Sequence, residues 1–317
     1  MRILVTRRWP TGVERALQQR FDVVLNDGDT PLSQTDLARA MDAFDVLAPT
    51  VSDRIDADVI AGGDRCKLIA NYGVGFDHID LEATRTKGIV VTNTPGVLTD
   101  ATADLAMTLI LMTARRASEG ERELRSGRWS GWRPTHLIGS ALRGKVLGIV
   151  GFGRIGQATA ARAHRGFGMK IAYFARAPKD GAAALDAEFC PALPDLLAKS
   201  DFVSLHVAGG TETTNLIDTA ALSTMRPGSY LINTARGGVV DHDALARALE
   251  SGHLAGAGLD VYPEEPHVPE ALLRLKNVAL LPHLGSATAQ AREAMGMRAL
   301  ANIEAFAKGE SLPDIVT

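Results

Sequence analysis

The sequence has little cysteine, little net charge and no long apolar run. Its only cysteines, Cys66 and Cys190, form neither a disulfide framework nor a metal-ligand pattern, which predicts a metal-free protein of the reducing cytoplasm. The net charge of −3 does not indicate the excess of basic residues that is typical of nucleic-acid-binding proteins. No signal-peptide core follows the N-terminal strand, and the most apolar stretch, residues 103–114, is too short for a membrane span. With 317 residues, we expect one or two globular domains.

Short β-rich segments alternate with helix-like segments along the whole chain, which predicts parallel sheets with right-handed crossovers. The predicted strands cover residues 2–6, 23–25, 46–48, 68–71, 89–93, 146–150, 171–174, 202–206, 229–233, 256–261 and 278–281. Eleven strands are too many for one typical open sheet. We therefore predict the α/β class with two doubly wound, Rossmann/flavodoxin-like domains and an active-site cleft between them.

The domain boundaries follow from the same pattern. A Thr-Pro-Gly turn at residues 94–96 ends the first strand series, and a long helix over residues 99–114 begins the second. A final helix, about residues 286–308, should pack back on the first domain. We predict a substrate domain of residues 1–98 and 286–317 and a dinucleotide-binding domain of residues 99–285.

Three glycines, Gly151, Gly153 and Gly156, follow an apolar strand in the spacing G-x-G-x-x-G, with helix-like sequence over residues 154–167. This order suits a dinucleotide. The first glycine permits a tight turn, the second a close approach to the phosphates, and the third close helix packing. The helix N-terminus adds free N–H donors for the pyrophosphate. A glycine-rich turn without a ligand is the alternative.

The strand over residues 170–174 lacks the acid that would bind the ribose hydroxyls of NAD. Arg176 and Lys179 follow it, and no carboxylate occurs between Gly156 and Lys179. Because a 2′-phosphate is held by cations and repelled by acids, the sequence favours NADP(H), with NAD(H) possible. The alternative is that both cations are solvated loop charges.

Polar residues lie at or just past the ends of three later strands of the second series: Arg236, Asp260, Glu265 and His283. Hydride transfer to a keto carbon requires a proton for its oxygen, and histidine is the usual acid/base near neutral pH. A carboxylate on the other ring nitrogen orients an imidazole, and a guanidinium polarises a keto oxygen. Each residue also has a structural alternative, such as a helix cap for Asp260.

Five segments together resemble the D-isomer-specific 2-hydroxyacid dehydrogenases: residues 71–80, 151–156, 233–241, 259–266 and 282–288. The resemblance extends from about residue 2 to residue 312. It implies that Arg236 binds substrate, that Glu265 orients His283, and that His283 is the general acid/base. It also implies that the backbone of Val74 and Gly75 binds the substrate carboxylate and that Asp260 holds the nicotinamide carboxamide.

The segment from Trp129 to Pro134 resembles the glyoxylate/hydroxypyruvate reductase branch, which tends to use NADPH. The resemblance implies a homodimer, in which Trp132 caps the substrate pocket of the partner. A structural role of Trp129 and Trp132 in the dimer interface is the alternative. One departure from the family pattern lies at residues 207–210, which would border the adenine pocket.

The predicted site thus has three parts. The catalytic residues are Arg236, Glu265 and His283, and the substrate-binding residues are Val74, Gly75, Arg236 and Trp132. The cofactor-binding residues are Gly151, Phe152, Gly153, Arg154, Ile155, Gly156, Arg176, Lys179, Thr102, Val207, Thr234, Ala235, Asp260, His283 and Gly285. The predicted function is NADPH-dependent reduction of glyoxylate or hydroxypyruvate. A dehydrogenase for a bulkier D-2-hydroxy acid and a dinucleotide-sensing corepressor-like protein are the alternatives.

Overall fold

The structure is a computed structural model that describes residues 1–316. The chain forms two compact units. Unit 1 comprises Met1–Leu98 and the C-terminal segment that begins at Ser286, and unit 2 comprises Thr99–Gly285.

Unit 1 is built on a parallel sheet of five strands. The strands are β1 (Arg2–Val5), β2 (Asp22–Leu25), β3 (Val46–Ala48), β4 (Leu68–Ala70) and β5 (Val90–Thr92). Their spatial order is β2-β1-β3-β4-β5. The helices are α1 (Thr11–Gln18), α2 (Gln34–Ala43), α3 (Ala57–Ala61), α4 (Leu81–Thr86) and α12 (Ala289–Lys308). Side chains of Ser33, Asp56 and Asp80 cap α2, α3 and α4.

Unit 2 is built on a parallel sheet of seven strands in the order β12-β11-β10-β9-β6-β7-β8. The strands are β6 (Val146–Val150), β7 (Lys170–Phe174), β8 (Glu188–Cys190), β9 (Phe202–Leu205), β10 (Ser229–Asn233), β11 (Leu254–Leu259) and β12 (Val278–Leu280). The helices are α5 (Thr99–Ala114), α6 (Ala117–Arg125), α7 (Arg154–Phe167), α8 (Leu193–Lys199), α9 (Thr219–Thr224), α10 (His242–Glu250) and α11 (Glu270–Arg274).

Buried apolar side chains cover both faces of the seven-stranded sheet. Ile149 of β6 packs in the cluster that contains Leu109 of α5, whereas the next residue, Val150, packs in the cluster that contains Leu245 of α10. A parallel strand that is covered on both faces typically has a continuous apolar sequence, and the sequence of β6, VLGIV, is of this kind. Burial of both faces leaves the loops at the strand ends as the place for polar groups.

The predicted α/β class with two doubly wound parallel sheets is confirmed. The strand count was wrong, because the structure has a twelfth strand, β8, which pairs with β7 at the sheet edge. This strand has only three residues, Glu188–Cys190, so its sequence carries no clear alternation. The last helix begins at Ala289, three residues later than about residue 286, because the Thr288 hydroxyl caps it.

None of the helices within residues 1–316 combines the length and the apolar character that a bilayer span requires. The same residues contain no group of three or more His, Cys, Asp or Glu side chains placed to hold a metal ion.

Candidate active site

The glycine turn after β6 has the backbone that close packing requires. Gly151 has φ of +93°, and a Cβ atom there would lie 2.8 Å from the carbonyl carbon of His206. A Cβ on Gly156 would lie 2.2 Å from the carbonyl oxygen of Gly151, so only glycine lets α7 approach this turn. Gly153 faces open space. The turn therefore leaves a cradle that a larger side chain at Gly153 would fill.

Polar groups around this cradle suit a dinucleotide. Gly153 is the N-cap residue of α7, which begins at Arg154. Among residues 1–316 no side chain caps this helix N-terminus, where Arg154 and Ile155 lie in the first turn. The buried Thr234 hydroxyl has no hydrogen-bond partner within the described chain. Phe152 is buried against Tyr173, with ring centroids 4.2 Å apart, so only its backbone is available to a ligand.

The loop after β7 is cationic and exposed. Arg176 and Lys179 both face solvent, and neither forms an ion pair with any part of the chain that the structure describes. The Lys179 N–H donates to the Tyr173 hydroxyl at 3.1 Å, which ties this loop to β7. Two unpaired cations beside the strand leave this loop free to bind a phosphate.

His283 and Glu265 form a close pair. The Nδ1 of His283 donates to Oε2 of Glu265 at 2.7 Å, and the Tyr262 N–H donates to Oε1 at 3.0 Å. Burial raises the pKa of Glu265, but the bond from His283 and its charge outweigh burial and hold the pKa below its ordinary 4.5. Glu265 is therefore a carboxylate at neutral pH. The bond to Nδ1 leaves Nε2 of His283 as the nitrogen available to a substrate.

Asp260 determines the backbone of the histidine loop. It is 1% exposed, and its carboxylate accepts from the N–H groups of Leu284 at 2.7 Å and Gly285 at 2.8 Å. The His283 N–H donates to the Asp260 carbonyl at 2.8 Å, and φ of His283 is +55°. A left-handed histidine is uncommon and is maintained by surrounding bonds. The Thr102 hydroxyl adds a bond to the Gly285 carbonyl at 3.0 Å.

Arg236 lies in the loop after β10. The Asn233 side chain bonds this loop twice, accepting from the Ala235 N–H at 2.9 Å and donating to the Arg236 carbonyl at 2.8 Å. A Cβ on Gly237 would lie 1.9 Å from the carbonyl carbon of Tyr262, so the loop packs directly on the chain that leads to Glu265. The charge of Arg236 contributes to lowering the pKa of Glu265.

The structure thus brings Arg236, Glu265 and His283 together in unit 2, after the adjacent strands β10, β11 and β12. Val207 follows β9, and Ala235 is buried in the Arg236 loop. Val74 and Gly75 lie in unit 1, half-buried in the loop after β4. Exposed apolar side chains mark the segment after α6: Trp129 is 50% exposed and Trp132 is 82% exposed.

Sequence reasoning missed the residues that hold these loops. Asn71 and Asn233 each lie within a recognised motif, but the sequence analysis assigned neither a role. Each asparagine lies at the end of a strand, just before a glycine-containing turn, and its amide bonds the turn that follows. An asparagine at the end of a strand, just before a glycine-containing turn, could have indicated this role, since its side chain readily forms hydrogen bonds with nearby backbone groups.

Comparison with known proteins agrees with this geometry. Residues 107–285 match the family model for the D-isomer specific 2-hydroxyacid dehydrogenase, NAD binding domain. The glyoxylate reductase of Thermococcus litoralis is 46% identical to this chain, over 99% of this chain and 96% of the relative.

Solved structures show the same likeness. The NADPH-dependent glyoxylate/hydroxypyruvate reductase of Sinorhizobium meliloti, in complex with NADP and malonate, has a TM-score of 0.88, 36% identity, and coverage of 100% of this chain and 96% of that one. The holo form of Rhodotorula graminis D-mandelate dehydrogenase has a TM-score of 0.89, 34% identity, and coverage of 99% and 97%. The chain therefore belongs to the D-isomer-specific 2-hydroxyacid dehydrogenases and is an oxidoreductase with an NAD-binding domain.

Proposed function

We propose that this enzyme reduces a small 2-keto acid, glyoxylate or hydroxypyruvate, to the 2-hydroxy acid with NADPH as the reductant. The observation that carries the proposal is the bond of His283 to the ionised Glu265 beside Arg236. This set supplies a proton donor, its orienting carboxylate and a cation for the keto oxygen. The names of the Thermococcus and Sinorhizobium proteins support the substrate class.

Each residue has a defined part in the chemistry. A nicotinamide dinucleotide, when bound, supplies the hydride. His283 donates the proton on Nε2 to the keto oxygen, while its bond to Glu265 keeps the ring oriented. Arg236 polarises the same oxygen and attracts the substrate carboxylate. The N–H groups of Val74 and Gly75 bind that carboxylate.

The cofactor contacts belong to residues 99–285, which we propose as the dinucleotide-binding domain, with residues 1–98 and 286–317 as the substrate domain. The open cradle at Gly153 and the unpartnered Thr234 hydroxyl support a pyrophosphate and nicotinamide site on this part of the chain. Arg176 and Lys179 would hold the 2′-phosphate of NADPH. Asp260 would accept the amide N–H of the nicotinamide with its remaining lone pairs.

A dehydrogenase for a bulkier D-2-hydroxy acid is the second candidate. The likeness to D-mandelate dehydrogenase favours it, since that protein is named for an aromatic hydroxy acid. The two candidates share the same catalytic residues and differ only in the size of the substrate side chain. A kinetic screen of 2-keto acids of increasing size, with both cofactors, separates them.

A homodimer is also proposed. Four large apolar side chains, Leu124, Trp129, Trp132 and Ile138, are each 50–82% exposed and lie within fifteen residues of sequence. Exposed apolar clusters of this kind mark interaction surfaces. A bond between His136 and Glu123, at 3.0 Å, ties this segment to α6. We propose that a second copy covers this surface and that Trp132 caps the substrate pocket of that copy.

The first prediction concerns cofactor choice. Arg176→Ala should raise KM for NADPH and leave KM for NADH nearly unchanged, because only NADPH carries the 2′-phosphate. Loss of a charge-assisted bond of about 1.5–3 kcal/mol corresponds to a roughly ten- to hundredfold change. Steady-state kinetics with both cofactors measure it. Arg165→Ala, at the opposite end of α7, is the matched control and should change neither value. Equal effects of Arg176→Ala on both cofactors would contradict the role.

The second prediction concerns Glu265. Its pKa is lowered from 4.5, so its negative charge is present throughout the neutral range and disappears only in acid. In the wild type, kcat/KM should fall as the pH drops through the pKa of Glu265, because the protonated acid no longer provides the charge-assisted bond that orients the His283 ring. Glu265→Gln keeps an acceptor for the ring but has no carboxyl group to titrate. Its kcat/KM at neutral pH should be at least about tenfold below that of the wild type, and this acid limb should be absent.

The pH profile of kcat/KM for glyoxylate measures this effect. Glu264→Gln is the control, because Glu264 is an exposed neighbour whose side chain has no hydrogen bond in residues 1–316. A wild-type kcat/KM with an unchanged acid limb in Glu265→Gln, or an equal loss in both variants, would refute the role of Glu265 as the orienting carboxylate.

The third prediction concerns Trp132. Trp132→Ala should weaken reduction of glyoxylate and admit longer 2-keto acids, because a capping indole limits the pocket volume. The affinity for NADPH should stay the same. A substrate series, measured beside the molecular mass in solution, tests both properties, and Trp129→Ala is the paired variant. Loss of the dimer without any shift in substrate preference would leave Trp132 with a structural role only and overturn the prediction.

A further inference from the structure

Two asparagines hold three consecutive carbonyl groups of the loop that follows β4. The Asn71 amide donates to the carbonyls of Gly73 at 3.1 Å and Gly75 at 2.8 Å. The Asn93 amide, which follows β5, donates to the intervening carbonyl of Val74 at 2.8 Å. The loop is thus tied on one side to groups at the ends of two adjacent strands.

The orientation of the Asn71 amide follows from its neighbours. Asn71 is fully buried, and its Oδ1 has no hydrogen-bond partner within residues 1–316. The opposite orientation would place Oδ1 against two carbonyl oxygens, and none of these three atoms can donate. The Thr94 N–H adds a further donor to the Gly73 carbonyl, at 3.0 Å.

The carbonyl directions determine where the N–H groups point. The only cis peptide bond in the described chain joins Glu265 to Pro266, so the peptides of this loop are trans. In a trans peptide, the C=O of one residue and the N–H of the next point in opposite directions. Because the carbonyls of residues 73, 74 and 75 face the asparagines and Thr94, the N–H groups of Val74, Gly75 and Phe76 face away from them.

These three N–H groups are available to a ligand. None of them donates to a protein acceptor in residues 1–316. Val74, Gly75 and Phe76 are each half-buried. Successive backbone N–H groups that point to one side form a concave nest of partial positive charge, which binds anions such as carboxylates.

We propose that Asn71 and Asn93 are positioning residues for a carboxylate nest and that the Phe76 N–H is its third donor. This inference rests on the proposed function, because it assigns the substrate carboxylate to this loop. Neither asparagine touches the substrate. Each acts by holding peptide units whose other side binds the carboxylate.

Aspartate variants test the inference, since aspartate has the size of asparagine but presents an oxygen to each carbonyl. In Asn71→Asp and Asn93→Asp, KM for glyoxylate and the inhibition constant of oxalate should each rise about tenfold or more. The value of kcat at saturating glyoxylate should fall far less than kcat/KM, and the dissociation constant of NADPH should stay the same.

Asn26→Asp is the matched control. The Asn26 amide also donates to two carbonyls of unit 1, those of Thr6 and Thr30, but in another loop. This variant should lower the melting temperature without changing KM for glyoxylate. If Asn71→Asp does not fold, Asn93→Asp alone provides the test. Asn93 is 8% exposed, so a charged side chain there is tolerated better than at the fully buried Asn71.

The outcomes separate the two levels of the proposal. A wild-type enzyme that reduces no 2-keto acid would refute the proposed function itself. A wild-type enzyme that reduces glyoxylate, with wild-type KM and oxalate inhibition in both variants, would overturn the positioning role. A fall in kcat alone, together with lower melting temperatures, would overturn it as well, because that result describes a structural asparagine.

Discussion

The buried carboxylate of Asp260 is the constraint on which the conformation of the histidine loop depends. It binds two successive N–H groups, those of Leu284 and Gly285, while the Asp260 carbonyl binds the N–H of His283. These three bonds maintain the left-handed backbone of His283. Burial raises the pKa of Asp260, and the two N–H groups act in the opposite direction. Without this anchor, the imidazole would lose the direction that brings Nδ1 to Glu265.

Two neutral asparagine side chains hold other loops in the same way, through hydrogen bonds to the backbone. Asn233 bonds the loop that carries Arg236, and Asn71 bonds the loop that carries Val74 and Gly75. In each case a buried side chain at the end of a strand directs the backbone just beyond it. A buried polar group of this kind costs free energy unless it forms hydrogen bonds. When its hydrogen bonds are formed, it strongly favours a single conformation of the loop. Rigid loops are what a proton donor and a carboxylate site require.

Much of the fold could be predicted from the sequence. Strands that alternate with helices, and apolar strands that are buried on both faces, have clear sequence patterns. Within the described residues, eleven of the twelve strands overlap predicted segments, and only β8 was missed. The bounds of β11 are Leu254–Leu259, two residues earlier than the predicted 256–261. Two of the six residues of β11 are glycines, Gly256 and Gly258, so its sequence has weak β propensity and does not mark where the strand begins.

The residues that hold the site were harder to predict. Glu265, His283 and Arg236 have side chains whose chemistry suggests a role from sequence alone. The amides of Asn71, Asn93 and Asn233 act on backbone groups, and those contacts depend on how each loop turns. The left-handed backbone of His283 is equally invisible in the sequence, since it arises from bonds to a residue that lies twenty-three positions earlier. Local patterns do not encode such contacts.

The most direct test of the central claim is the rate of the first turnover with NADPH already bound. On mixing with glyoxylate, we expect the wild-type enzyme to oxidise its bound NADPH, as measured by stopped-flow absorbance. His283→Gln should bind NADPH with unchanged affinity but react at least about a hundredfold more slowly, because the proposed proton donor is gone. A His283→Gln enzyme that reacts at the wild-type rate would contradict the account.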